Sequence, residues 1–167
     1  MKRIIKLLIT VTMLSATMFY SSKTHAVERI GRLGIGFNTQ PINDVTAMSF
    51  KVQKSKSFAF GGYFGIDTNE TGGGWAAGIK LYRNIFSEPL LTFYGSAALG
   101  LLNQKLGPSN NKSGFQIDGT FGVEFSFESL QSIGIGTEFG VSMNKIDDFN
   151  VSTVGSQFLV ALFHFYL

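Results

Sequence analysis

Apolar residues alternate with small or polar residues in eight stretches of this chain, and turn-forming residues separate the stretches. In the clearest stretch, Phe115–Phe127, every second residue is apolar except Gly119, and the residues between are polar or glycine. Successive side chains of a β-strand point to opposite faces, so such a stretch predicts a strand with one apolar and one polar face. No stretch after residue 26 has a sustained helical period or 18 consecutive apolar residues, and the sequence therefore predicts an all-β fold.

The connections between the predicted strands alternate in length. The long ones lie near residues 38–44, 67–74, 104–113 and 144–156, and the short ones lie near residues 53–56, 84–88 and 128–131. Long loops at one rim and short turns at the other are typical of an up-and-down meander that enters a membrane from one side. The predicted fold is an eight-stranded antiparallel up-and-down transmembrane β-barrel.

An eight-stranded barrel could also be soluble, with an apolar interior that binds a ligand. The apolar strand faces carry at least nine Phe residues and Trp75, which would overfill so narrow an interior. The opposite faces are rich in Gly, Ala and Ser, which fit a narrow lumen and make a poor solvated surface. We therefore expect the Phe-bearing faces to point outward to lipid, and the soluble barrel remains the alternative.

The first 26 residues predict a secretory signal peptide. A basic start, Met1–Lys6, precedes an apolar stretch, Leu7–Tyr20, and a polar end that closes on Ala26. Cleavage there divides the chain into a signal peptide, residues 1–26, and one barrel domain, residues 27–167. Four of the 14 Lys and Arg residues fall in the signal peptide, so the barrel domain holds 10 basic and 11 acidic residues. This balance does not support nucleic-acid binding.

The polar strand faces carry a small set of charged residues that would point into the lumen, namely Arg32, Lys51, Lys80, Asp118, Glu124 and Glu138. Unpaired charges in so narrow a space would carry a large desolvation penalty, so we expect ion pairs that fill the barrel. The functional alternative is a polar path for small ions. Tyr63, Tyr82 and Tyr94 share the inward face and would help to close such a path.

The barrel domain contains a single histidine, His164, and the chain has no cysteine. A Cys nucleophile and thiolate metal sites are therefore excluded, and Ser-His-acid or His-metal chemistry would need His164 in a supporting constellation. The short segment His164–Tyr166 lies close to the chain end and predicts an interfacial packing role for the histidine. We expect no enzyme activity, no cofactor and no metal ion.

In strand number, length and alternation, residues 27–167 resemble the small eight-stranded outer-membrane barrels of Gram-negative bacteria, of the OmpA transmembrane-domain and OmpX type. The last residues, Phe163, Phe165 and Leu167, are similar to the terminal signal that the barrel assembly machinery reads, with Leu167 where Phe or Trp is usual. The resemblance implies a non-enzymatic protein of the outer membrane that contacts its lipid and lipopolysaccharide. Its structural or surface-interaction role would be carried by the longer loops, and the remaining alternative is a narrow ion-conducting pore.

Overall fold

A computed structural model describes residues 29–70, 72–107, 110–155 and 158–167, so the predicted signal peptide lies outside the described residues. The strands are β1 Leu33–Asn38, β2 Ala47–Gln53, β3 Phe58–Asp67, β4 Gly74–Glu88, β5 Leu91–Gly107, β6 Asn110–Phe127, β7 Leu130–Lys145, β8 Phe149–Thr153 and β9 Val160–Tyr166. In these ranges no helix is long and apolar enough to cross a bilayer. The described part of the chain is all-β.

The strands pair antiparallel with their neighbours, and the pairing of β9 with both β1 and β7 closes the sheet. Both β8 and β9 run along β7, so they are two parts of one barrel strand that is interrupted after Thr153. Gly155 lies in this interruption with φ of 72°, a conformation that glycine adopts without a steric penalty. The structure is a closed eight-stranded antiparallel up-and-down barrel, as the sequence predicts.

The two rims differ in their connections. We call the rim with the turns at 54–57, 89–90 and 128–129 the terminal rim, because Leu33 and Leu167 meet there through a backbone hydrogen bond of 2.9 Å. The opposite loop rim carries the connections 39–46, 68–73 and 146–148.

Two of the four predicted long loops are wrong in extent. Most of 104–113 belongs to β5 and β6, and much of 144–156 belongs to β7 and β8. These segments are rich in Asn, Ser and Lys, which is why they predict loops, but they continue the strand pairing beyond the apolar part of the barrel. The short connection predicted near 84–88 is also strand, since β4 continues to Glu88.

The apolar strand faces point outward, as predicted. Side chains such as Phe37, Phe64, Ile79, Leu101 and Phe121 lie on the outer surface and are exposed. The inward faces are buried and consist of small residues that leave room for a few large ones, among them Tyr63, Tyr82 and Tyr94. Because small and large residues alternate across the lumen, side chains fill the interior of the barrel.

Candidate functional site in the barrel lumen

Five of the six predicted lumen charges lie inside the barrel and are buried. They come from four strands: Lys51 from β2, Lys80 from β4, Asp118 and Glu124 from β6, and Glu138 from β7. Alternation places each of them on the inward face, where the curvature of the barrel brings distant strands together. They form two clusters, one toward each rim.

The loop-side cluster is built around Lys80, Glu138 and Asp118. The Lys80 ammonium donates to Glu138 Oε2, and the same carboxylate accepts hydrogen bonds from Tyr94 Oη at 2.8 Å and Thr120 Oγ1 at 3.1 Å. Glu138 therefore has a cation and two neutral donors, which is the condition under which a buried carboxylate is tolerated.

Gln40 connects Lys80 to Asp118. Its Oε1 accepts from Lys80 Nζ at 2.6 Å, and its Nε2 donates to Asp118 Oδ2 at 2.6 Å. Gln116 Nε2 donates to both oxygens of Asp118 at 2.9 Å and to the Gln40 carbonyl at 3.1 Å. The amide groups thus fill the hydrogen-bonding positions between the charges.

Gln40 belongs to the connection 39–46, which folds into the lumen, and we call this segment the plug loop. Gln40, Pro41, Asn43 and Val45 are buried, and Asn43 Nδ2 donates to the Asn103 carbonyl at 2.9 Å. The prediction that residues 38–44 form an exposed surface loop is therefore wrong. A polar loop is compatible both with solvent and with a charged lumen. The composition of residues 38–44 therefore does not distinguish an exposed loop from one that folds into the barrel.

The terminal-side cluster is built around Glu124. Its carboxylate accepts from the Arg29 guanidinium, from Lys51 Nζ at 3.0 Å and from Tyr166 Oη at 2.8 Å. The Arg29 guanidinium also donates to Ser126 Oγ and stacks 4.0 Å from the centre of the Tyr166 ring. Burial lowers the pKa of the Arg29 guanidinium, but an arginine remains charged in proteins, so it compensates Glu124.

The prediction that Arg32 joins the lumen charges is wrong, because Arg32 is exposed and Arg29 occupies this place. Counting alternate positions back from β1 assigned Arg32 to the lumen. The strand begins only at Leu33, and Gly31 with φ of 81° turns the backbone just before it. Alternation does not govern side-chain direction outside a strand, so only the three-dimensional path of residues 29–32 selects Arg29.

His164 is also in the lumen, and the prediction of an interfacial packing role is wrong. Its side chain is 1% exposed, with Nε2 3.0 Å from Ser49 Oγ and Nδ1 3.7 Å from Glu124 Oε2. The residues on either side, Phe163 and Phe165, point outward, so alternation along β9 sends His164 inward. The alternation of Phe163 and Phe165 with His164 and Tyr166 is the sequence signal that predicts both His164 and Tyr166 in the lumen.

The serine, histidine and carboxylate follow the order of a hydrolase triad, but their surroundings do not suit hydrolysis. Ser49 is only 3% exposed, and Glu124 is already engaged by Arg29 and Lys51. A nucleophile must meet its substrate, and a filled barrel interior gives Ser49 no such access. The arrangement can fix the ring orientation of His164.

The lumen is close to electrically neutral. Its cations are Arg29, Lys51 and Lys80, and its carboxylates are Asp118, Glu124 and Glu138. Lys51 Nζ also lies 4.7 Å from the ring centres of both Tyr82 and Tyr94, which gives this cation two aromatic partners. Among the described residues, no group of three His, Cys, Asp or Glu side chains is placed to hold a metal ion. The site is therefore suited to holding the strands together.

A comparison of this chain with known protein families, with characterised proteins and with solved structures finds no match.

Proposed function

We propose that this chain is a non-enzymatic integral protein of the bacterial outer membrane, with a lumen closed by side chains. The observation that carries the proposal is the outer surface, where large apolar side chains from every barrel strand are exposed together. Soluble proteins rarely expose contiguous apolar patches above a few hundred Å². In a membrane, the acyl chains of the lipids would cover this surface, so it would not be exposed to water.

The height of this apolar surface supports insertion of the barrel in a lipid bilayer. Outward apolar residues of β6 run from Phe115 to Phe127, which is about 40 Å of strand at about 3.3 Å per residue. With the strand tilt of about 40° that is usual in such barrels, the apolar band is about 30 Å tall, somewhat above the height of about 25 Å expected for an outer-membrane barrel.

The placement of charge and backbone is compatible with lipid. Of the outward charges, Lys145 lies at the end of β7, and Arg83 pairs with Phe58, the first residue of β3. Closure of the sheet gives the strands of the band a partner on both sides, and unpaired backbone groups are not tolerated in lipid. A row of neighbouring rings, Phe86, Phe93, Phe121 and Phe139, crosses four strands of this surface, and the first three are stacked.

The resemblance to the OmpA transmembrane-domain and OmpX type of barrel completes the proposal. Residues 1–26 would direct export, and the terminal alternation of Phe163 and Phe165 would be read by the barrel assembly machinery. The finished barrel would contact outer-membrane lipid and lipopolysaccharide. Its interactions at the surface would involve the hairpins β5–β6 and β7–β8 more than the plug loop, which is buried.

The alternatives are less well supported. A soluble barrel that binds an apolar ligand needs an apolar interior, whereas this lumen holds three cations and three carboxylates. A narrow ion pore needs an open path, whereas Gln40, Tyr63, Tyr94 and the ion pairs occupy the lumen. We therefore expect no steady current when the protein is placed in a planar bilayer.

The decisive experiment is fractionation of cells that express the full chain, followed by electrophoresis of the detergent extract with and without heating. We expect the protein in the envelope fraction, with a mobility that changes on heating because a closed barrel resists dodecyl sulfate until it is heated. Recovery of the folded protein from the soluble periplasmic fraction would contradict the proposal.

A further inference from the structure

A cavity of about 480 Å³ opens at the terminal rim, next to the terminal-side cluster. Its polar wall includes Arg29, Lys51, Lys56 and Asn84. Lys51 is buried, while Lys56 is exposed and stands toward solvent. A volume of this size is within the range of small-molecule sites in proteins, about 300–1,000 Å³.

Two buried polar atoms on this wall have no hydrogen-bond partner within the described chain: Arg29 Nε and Asn84 Oδ1. The Arg29 side chain is 10% exposed, and its two terminal nitrogens are used by Glu124 and Ser126. The Asn84 amide is oriented by its Nδ2, which donates to the Lys56 carbonyl at 3.0 Å. A buried donor and a buried acceptor beside the cavity thus lack a partner, and such groups are costly to leave unpaired.

The charge of the wall favours an anion. Arg29 and Lys51 share the single carboxylate of Glu124, which leaves one positive charge in excess at that cluster. Lys56 forms no ion pair within the described ranges, and the acid on the cavity wall is the exposed Glu88.

The remaining wall mixes polar and apolar residues. Its apolar part includes Ile30, Phe86 and Leu91. A cavity lined by both cations and apolar residues fits a molecule that is itself amphipathic.

We propose that this cavity binds a single-chain amphiphile whose head group is a phosphomonoester. The phosphate oxygens accept hydrogen bonds from Arg29 Nε and Lys56 Nζ, and the alkyl chain packs on Ile30, Phe86 and Leu91. A phosphomonoester has a second pKa of about 6, so near neutral pH part of it keeps a hydroxyl that can donate to Asn84 Oδ1. A carboxylate at that pH would supply no such donor.

The test uses the barrel purified in a non-ionic detergent and titrated with dodecyl phosphate, inorganic phosphate and dodecanol, with binding followed by calorimetry. We expect dodecyl phosphate to bind at one site per chain and the two half-probes to bind at least about tenfold more weakly. Equal binding of dodecanol would reduce the site to an apolar surface, and equal binding of inorganic phosphate would reduce it to a simple anion site. Either result would overturn the proposal.

Matched variants separate the cavity from the general charge of the rim. Lys56→Gln and Arg29→Gln should each weaken dodecyl phosphate binding about tenfold, the loss expected for one charge-assisted hydrogen bond. Lys54→Gln and Arg32→Gln remove exposed cations outside the cavity wall and should leave binding unchanged. Because Arg29 also pairs with Glu124, Arg29→Gln could weaken binding by disturbing the fold. Lys56→Gln and Lys54→Gln remove none of the described ion pairs of the lumen, so their comparison reports on the cavity alone.

Equal affinities for Lys56→Gln and Lys54→Gln would overturn the proposal, as would an absence of binding, which would assign Arg29 Nε and Asn84 Oδ1 to water. The proposal of membrane insertion depends on the apolar outer surface of the barrel, so neither result would affect it.

Discussion

The Lys80 ammonium and the Glu138 carboxylate form an ion pair across the lumen, from β4 to β7, and both side chains are almost completely buried. Such a pair contributes little to net stability compared with apolar packing, but loss of one partner leaves an uncompensated charge in a medium that solvates it poorly. The pair therefore makes the assembled barrel intolerant of single changes at these positions.

We expect Lys80→Met to destabilise the folded barrel by about 3–5 kcal/mol, because Glu138 keeps its charge and loses its cation. The measurement is the urea midpoint of unfolding in lipid vesicles, followed by the fluorescence of Trp75, the single tryptophan. The double variant Lys80→Met with Glu138→Gln should recover much of this loss.

The control for that series is Lys112→Met, which removes a cation from the partly exposed pair with Asp147. Solvent screens such a pair, so the change should stay within about 1 kcal/mol. Equal urea midpoints of unfolding for Lys80→Met and Lys112→Met would contradict burial of the Lys80–Glu138 pair.

A second prediction concerns Tyr63, whose hydroxyl lies where a Cβ on Gly100 would be. Gly100→Ala should destabilise the barrel by about 1–3 kcal/mol, the usual penalty for overpacking. Adding Tyr63→Phe should restore part of the stability, because the next ring atom would be 3.2 Å from the new methyl group. Gly119→Ala is the control, since a Cβ there meets nothing within 4 Å. If Tyr63→Phe restores no stability, the crowding does not come from the Tyr63 hydroxyl.

A third prediction tests the proposed lipid-facing surface at Phe121, which is 49% exposed and lies between Phe93 and Phe139. Phe121→Arg should destabilise the vesicle-inserted barrel by about 2–4 kcal/mol, the cost of a cation on the lipid side near mid-bilayer. Leu130→Arg, at the start of β7 on the terminal rim, should cost only about 0–1 kcal/mol. If the two arginines cost the same in vesicles, the surface around Phe121 does not face lipid.

A fourth prediction concerns Ser49 and His164. Purified barrel with p-nitrophenyl butyrate should release nitrophenol at the same rate as its Ser49→Ala variant, because Ser49 is buried away from substrate. A drop in rate for both Ser49→Ala and His164→Asn would instead identify a working hydrolase, and the proposed non-enzymatic role would fail.

A fifth prediction concerns the plug loop, whose Gln40 bridges Lys80 and Asp118. Gln40→Ala should destabilise the loop by about 1–3 kcal/mol, since two buried charged groups lose a partner. Amide hydrogen exchange of residues 39–45 should accelerate, whereas Thr68→Ala, at an exposed position just after β3, should leave it unchanged. Rapid exchange in the unaltered protein would contradict a loop fixed in the lumen.

The strand prediction succeeded where alternation was strongest. Along Phe115–Phe127 the side-chain period of two fixes which residues face each way, and one slipped residue would put Phe inside and Glu outside. The same alternation predicts the inward direction of five charged residues, namely Lys51, Lys80, Asp118, Glu124 and Glu138.

Most of the failures came where the period of two does not act. Arg32 precedes the first strand, the plug loop has no alternation, and the hairpin ends of β5–β8 mix polar and apolar residues. In these places the residue types allow more than one environment, and long-range contacts decide among them. His164 is the exception, because alternation along β9 does send it inward.

The sequence by itself determined an all-β chain, eight barrel strands and the outward direction of the Phe-bearing faces, because these depend on local periodicity and side-chain volume. Tertiary structure alone decided that Arg29 pairs with Glu124, that Gln40 enters the lumen between Lys80 and Asp118, and that His164 meets Ser49. Those contacts join residues that are between 40 and 115 positions apart. They depend on the closure and stagger of the barrel, which bring such residues within hydrogen-bonding distance and which no local pattern encodes.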